Sequence, residues 1–275
     1  MAAGNGGPRL DSTRRKELAD SFQDGADHYE RVRPGYPPES LDWLLAGTGL
    51  NTVLNTELLT PDPNADDSML DVLDLGAGTG KYTALLLARG LNVIALDPSR
   101  DMLMQLQRRY PAVRTMVGTA ERIDLPDSCM HVVTAAQAWH WVDPLAASAE
   151  ISRVLRPGGV LGLVWNQLDV SVPWVHRLSR IMHAGDVHKP GFRPLLGPEF
   201  GLPNVSVSQW IQPLTPLDLM ELAKSRSYYL RANEDTRAKV LANLRWYLLD
   251  HLGHAPDALL ELPYLTQTWR AGPRR

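Results

Sequence analysis

The chain has 275 residues, 44% of them hydrophobic, with 28 Lys or Arg against 31 Asp or Glu and a formal net charge of −3. That length suits one α/β domain with additions, and the charge offers no basic field for a phosphate backbone, which argues against nucleic acid as a partner. A single cysteine, Cys129, excludes an intramolecular disulfide and reads as a plain cytosolic thiol, and no apolar run reaches the roughly 18 residues of a membrane span.

Residues 1–20 begin Gly- and Ala-rich without an apolar h-region, so they are expected to form a disordered tail rather than a signal peptide. Residues 21–48 start as a short helix that breaks at Pro34, because proline lacks an N–H and forces its predecessor out of the helical region. Two readings stay open for this segment. It is a strap packed on the domain, or a lid whose Tyr29, Arg31, Arg33 or Tyr36 points inward, where guanidinium groups would suit a ligand carboxylate. Residues 51–68, with Pro61 and Pro63 among several acids, read as a surface insertion.

The core begins with Val72-Leu73-Asp74-Leu75-Gly76-Ala77-Gly78-Thr79-Gly80-Lys81-Tyr82: a buried strand, a turn of three alternating glycines and the start of a helix. Such glycines let a ligand approach the backbone, and the helix N-terminus beyond them presents free N–H groups. Spacing decides the ligand class. A dinucleotide fingerprint needs a third glycine where Lys81 stands, and a P-loop needs a glycine where Leu75 stands and a hydroxyl where Tyr82 stands. What remains is an acid two residues before G-x-G-x-G. This stretch resembles motif I of the S-adenosylmethionine (SAM)-dependent methyltransferases with a Rossmann-like fold.

Next, Leu91 to Leu96 is a second buried strand closed by Asp97, about 20 residues past the glycines, where a carboxylate meets ribose hydroxyls. Asp97 is equally placed as an N-cap ahead of Pro98 and Ser99, and Met102 on the following helix is placed to pack either on adenine or in the core. Val113 to Val117 reads as a third strand, followed by Gly118-Thr119-Ala120-Glu121. His131 to Ala136 is a fourth, ending in Gln137-Ala138-Trp139-His140-Trp141. Ligands of open α/β sheets lie at the carboxyl ends of strands, so Gln137 to Trp141 should face the cofactor. His140, with an unperturbed pKa of about 6.5, is a candidate base or acceptor ligand, although a histidine between two tryptophans also suits a core cap.

A helix over 146–155, Arg156-Pro157-Gly158-Gly159 and a fifth strand over 160–165 follow. Beyond them come a helix over 174–183, a Pro- and Gly-rich loop over 192–200 and a strand over 205–211. A helix opening at Thr215-Pro216, another over 234–251 and a last strand over 259–269 complete the chain; Pro263 in that strand favours an edge position. The eight histidines show no H-x-x-x-H pattern and there is no cysteine pair, so no metal site is expected.

Motif I, the Asp97 strand end, Gly118 to Glu121, Gln137 to Trp141 and Arg-Pro-Gly-Gly succeed one another over about 90 residues with methyltransferase spacing. The flanks Tyr29 to Pro38, Ser225 to Tyr228 and Leu262 to Tyr264 look like the branch that includes trans-aconitate methyltransferase-like proteins, and more distantly the UbiE-like ubiquinone/menaquinone C-methyltransferases. The resemblance implies an α/β Rossmann-like seven-stranded sheet, order 3-2-1-4-5-7-6 with strand 7 antiparallel, flanked by helices. It places a single domain over 21–275, with a lid at 21–48, a SAM-binding core at 70–166, and cap insertions plus sheet completion at 167–258.

It further implies that Asp74 and the Gly76, Ala77, Gly78, Thr79 and Gly80 backbone hold the methionine part of SAM, Asp97 the ribose, and Thr119, Ala120 and Glu121 the adenine. Thr119 stands where this family commonly has an acid. Gln137 would position the sulfonium end, and Tyr29, Arg31, Arg33, Tyr36, Trp139, His140 and Trp141 would shape the pocket of a small-molecule acceptor, with carboxylate or hydroxyl favoured, in a cytoplasmic enzyme. A non-catalytic SAM-binding scaffold and a nicotinamide oxidoreductase remain the alternatives.

Overall fold

The apolar runs Val72–Leu73, Val93–Leu96, Val132–Val133 and Val160–Leu161 have no polar face, and strands of that kind must be covered on both sides. In the computed structural model of the chain, which describes residues 32–46, 69–184, 188 and 191–274, they form the middle of a seven-stranded sheet. The strands are β1 (Asp71–Leu75), β2 (Asn92–Asp97), β3 (Arg114–Val117), β4 (Met130–Ala136), β5 (Leu155–Leu168), β6 (Asn204–Leu214) and β7 (Leu260–Ala271). They lie in the order β3-β2-β1-β4-β5-β7-β6. β1 to β5 are parallel, and β7 runs antiparallel to both of its neighbours, as the methyltransferase resemblance implies.

The helices are α1 (Pro38–Leu45), α2 (Lys81–Ala88), α3 (Arg100–Arg109), α4 (Pro144–Val154), α5 (Pro173–Ile181), α6 (Pro216–Lys224), α7 (Ser227–Arg231) and α8 (Glu234–Arg245). Several starts are written locally. Asp143 accepts the Leu145 and Ala146 amides ahead of Pro144, and Thr215 and Asp218 cap each other's backbone ahead of Pro216. The expected 234–251 helix ends its regular part at Arg245 and widens into a π turn over Trp246–His251.

Alternate strand residues feed opposite cores. Leu73, Leu75, Leu96, Val133 and Leu163 join Ile151 and Val154 of α4 on one face, while Val72, Val93, Val132 and Val164 join Leu41, Leu44 and Leu86 of α1 and α2 on the other. Gly162 permits the close seat of α1, since a Cβ there would overlap the Leu44 side chain. A third cluster gathers α5, α6 and α8 through Val175, Leu178, Leu222 and Leu244 against Leu168, Leu214 and Leu262. Leu168 and Leu214 end their strands and Leu262 lies near the start of antiparallel β7, so this helical layer sits at the carboxyl edge of the parallel strands.

Two expectations need correction. Pro263 does not mark an edge strand, because β7 lies between β5 and β6; the proline is tolerated because the β5 ladder stops at Leu168 opposite Tyr264, and past it Pro263 serves as an acceptor, its carbonyl taking the Asp169 amide at 3.0 Å. Arg156-Pro157-Gly158-Gly159 is not a loop ahead of the fifth strand but an irregularity within β5, where the register jumps from Met130 opposite Leu155 to Val132 opposite Val160. The expected tail at 1–20, residues 21–31 and 47–48 of the expected lid, with Tyr29 and Arg31 among them, and the 51–68 insertion lie outside the described residues. No helix among the described residues is long and apolar enough to cross a membrane.

Candidate active site

β1 ends at Leu75 and the chain turns through Gly76, Gly78 and Gly80 with φ of 64°, 55° and 92°. The Gly76 and Ala77 amides donate to the Leu96 carbonyl at 2.7 and 3.1 Å, and the Gly78 amide donates to Asp97 Oδ2 at 2.9 Å. The loop is thus fastened to the end of β2. Its glycines do different work. A Cβ on Gly76 would stand 2.5 Å from the Ala138 Cβ and one on Gly80 would stand 3.0 Å from Leu106, but one on Gly78 would meet nothing within 4 Å among the described residues. Gly78 therefore faces open space, the side from which a ligand can reach the backbone.

The two acids are both buried, at different depths of use. Asp97 is 8% exposed and accepts the Ser99 amide at 2.8 Å on its other oxygen, while burial pushes its carboxyl above the usual carboxylate range. Asp74 is 1% exposed and accepts the hydroxyls of Thr83 at 2.7 Å and Thr134 at 3.0 Å; burial pushes its carboxyl up to about 6. Asp74 lies directly opposite Thr134 in the β1–β4 register, and strand alternation sends both side chains toward α2. Asp74 thereby ties the end of β1 to the first turn of α2 and to β4, directly beneath the glycine loop.

Of the remaining candidates, Thr79 is buried, Pro98 is exposed and Met102 is half-buried on α3, whose N-cap is Ser99. Thr119 is exposed, the Ala120 side chain packs in the core, and Glu121 is already engaged, accepting the Asp143 amide at 2.8 Å. Gln137 adopts φ of 53°, a left-handed conformation that non-glycine residues rarely take. It is held there by its amide on the Val164 carbonyl and its Nε2 on the Asn166 carbonyl, both at 2.8 Å.

The segment after Gln137 abuts the loop through Ala138, then makes one 3-10 turn over Trp139–Trp141. That turn sends Trp139 inward: it is 5% exposed, packs in the main core and donates its indole N–H to the Leu195 carbonyl at 3.0 Å. Trp139 is thus packed in the core beneath the 3-10 turn. His140 stays exposed and Trp141 half-buried, with ring centroids 4.7 Å apart. On the strap, Tyr36 meets Tyr82 edge-on at 5.0 Å and Arg33 donates to the Ser225 carbonyl, beside Arg226, which is 6% exposed and donates to the Ala184 carbonyl.

Sequence reasoning missed Asn166. It ends the apolar run of β5, donates to the Gly35 carbonyl at 2.7 Å, accepts the Thr266 hydroxyl at 2.6 Å and lends its carbonyl to Gln137. The signal was an asparagine following Leu163-Val164-Trp165 at the carboxyl end of a central strand, the edge at which open sheets build sites.

A family profile described as "Methyltransferase domain" matches residues 73–163, the span from β1 to β5. An uncharacterized methyltransferase of Mycobacterium tuberculosis is 41% identical over 258 residues, covering 94% of this chain and 97% of that one. The chain belongs to the methyltransferase family. A solved structure from Anaeromyxobacter dehalogenans, described as a type II methyltransferase, superposes with a TM-score of 0.57 at 26% identity, covering 88% of this chain and 97% of the other. Malonyl-[acyl-carrier protein] O-methyltransferase of Pectobacterium atrosepticum is 40% identical over 95 residues, 34% of this chain and 38% of its own. The sheet, the glycine loop and the relatives agree on a methyltransferase, and the nicotinamide alternative falls with them.

Proposed function

We propose that this methyltransferase uses SAM and methylates a small acid at a carboxylate oxygen. The observation that carries the cofactor is Gly78: of the three loop glycines it alone would place a side chain in open space, and it does so beside the carboxylate of Asp97. The residues fit the group. Backbone at Gly78 and Thr79 would take the methionine part, the Asp97 carboxylate would accept from the ribose hydroxyls, and Thr119 with the Ala120 backbone would border the adenine.

The cofactor brings an already activated methyl group, so this chain's work is to align the acceptor and exclude water. Gln137, locked by Asn166, sets the wall beside the loop. Arg33 donates to the Ser225 carbonyl and the buried Arg226 to the Ala184 carbonyl; guanidinium groups held between the strap and the helical layer suit an anionic acceptor if that layer caps the site. The Pectobacterium relative, an O-methyltransferase by name, supports oxygen as the receiving atom. A carboxylate needs no proton removed before it attacks, so the reaction asks for no general base.

The test is calorimetric titration with SAM, S-adenosylhomocysteine and NADH, on the wild type and Gly78→Ala, followed by a methyl-transfer screen of carboxylic acids and phenols. Gly78→Ala has room for its methyl group and should cost stability only about 1 kcal/mol for the left-handed backbone, yet it should weaken SAM at least about tenfold. Equal affinity in the two proteins, or binding of NADH alone, would overturn the reading.

A further inference from the structure

Away from the glycine loop, a cavity of about 710 Å³ opens between α5 and α8, with Tyr228 of α7 on its wall. Helical spacing builds it. His176, Arg177 and Arg180 come from α5, while Thr236, Lys239 and Asn243 share one face of α8. Among the described residues no acid lines it, although acids outnumber bases in the chain as a whole. Among the described residues none of Arg177, Arg180 and Lys239 has a carboxylate partner within ion-pair distance.

The cavity is also shaped in advance. The Arg177 guanidinium lies 5.5 Å from the Trp246 ring centroid and 5.3 Å from that of Tyr247, a seat that fixes the group while leaving N–H edges to bond elsewhere. His183, in a left-handed conformation just beyond α5, stacks on Tyr228 at 3.9 Å and closes one end. Three permanent positive charges with no acid beside them among the described residues repel one another, an arrangement that an anion relieves.

We infer that the groove between α5 and α8 binds a small, multiply charged anion of the phosphate-ester class. Its volume falls in the range of small-molecule sites, roughly 300–1,000 Å³. One carboxylate would neutralise a single cation of the three, whereas a phosphate monoester carries about −1.5 to −2 at neutral pH and a diphosphate more, and arginine forks match phosphate oxygens two at a time. None of the lining residues belongs to the glycine loop or the Asp97 and Gln137 positions, so the inference stands independently of the methyl-transfer reading.

Inorganic pyrophosphate is the probe, titrated calorimetrically at constant ionic strength into the wild type, Arg180→Gln, Lys239→Gln and the double variant. Arg180 and Lys239 are exposed, so their replacement should leave the fold intact, which thermal unfolding and SAM titration would check. The expected result is saturable binding with a Kd below about 1 mM, weakened at least about tenfold in the double variant and unchanged in Arg108→Gln on the distant helix α3. Absence of saturable binding, equal loss in Arg108→Gln, or co-sedimentation with phosphatidic-acid vesicles in place of pyrophosphate binding would overturn it.

Discussion

Asp97 Oδ2 and the Gly78 amide meet at 2.9 Å across 19 residues of chain, joining the open side of the glycine loop to the end of the neighbouring strand. Asp97→Ala leaves the Gly78 and Ser99 amides without their acceptor. Since an orphaned buried donor costs about 1–3 kcal/mol, denaturant unfolding should show a loss of roughly that size, and SAM affinity should fall by more than about tenfold. Asp97→Asn, with one acceptor oxygen, should keep more of the stability. An alanine variant as stable as the wild type would mean that the clamp contributes nothing.

Asp74 gives a pH signature. Its carboxyl holds a proton up to about pH 6 in the folded chain, against an ordinary value of 3.8, so the folded state binds more protons between those limits. The resulting stabilisation is fully present below the ordinary value and is lost as pH rises through about 6. The gap corresponds to about 3 kcal/mol at most. Asp74→Asn should therefore be more stable than the wild type at pH 7 to 8, approximately, with the difference vanishing near pH 4, a crossover readable from unfolding curves at several pH values.

Gln137 separates strain from bonding. Its left-handed backbone costs about 1–2 kcal/mol and its side-chain bond to Asn166 returns about 1. Gln137→Gly should be nearly neutral in thermal stability and Gln137→Ala destabilised by about 1 kcal/mol, while both lose turnover. If the glycine variant were the less stable of the two, the strain would not be there.

Asn166→Ala takes the Nδ2 donor from the Gly35 carbonyl and the acceptor from the Thr266 hydroxyl, which keeps only the incoming bond from the Trp210 indole among those described. A loss of about 2–4 kcal/mol in urea unfolding is expected. The accompanying release of the strap should raise the acceptor's KM more than it lowers kcat.

His140 is exposed, and a carboxylate acceptor needs no base. Steady-state kinetics of His140→Ala should show kcat reduced by less than about threefold with SAM affinity unchanged. A loss of the 10²–10⁴-fold order expected for a general base would instead mark a hydroxyl or carbon acid as the acceptor.

The sheet was legible because it rests on local patterns: apolar runs of strand length, glycines at fixed offsets, and caps such as Thr215-Pro216. Contacts made across the chain were not. Asn166 owes its place to Gly35 and Thr266, 131 and 100 residues away, and no local pattern reports that pairing. Asp74 and Trp139 show a second limit. Residue type and position do not say how deep a side chain sits: pleat direction in one case and a single 3-10 turn in the other decide which way it goes. The basic groove between α5 and α8 escaped notice because its halves come from distant stretches, each of which reads alone as an ordinary solvated helix face.

β7 fills the place between β5 and β6, yet it is made after both. On the ribosome, β3, β2, β1, β4 and β5 have all their parallel neighbours before residues 260–271 emerge, whereas β6 has no strand to pair with until then. The late strand must slide between an edge already built and a segment still waiting. A nascent chain stalled before Leu260 would thus present β5 with an open flank, the state in which a chaperone is most needed and a protease most readily finds its substrate.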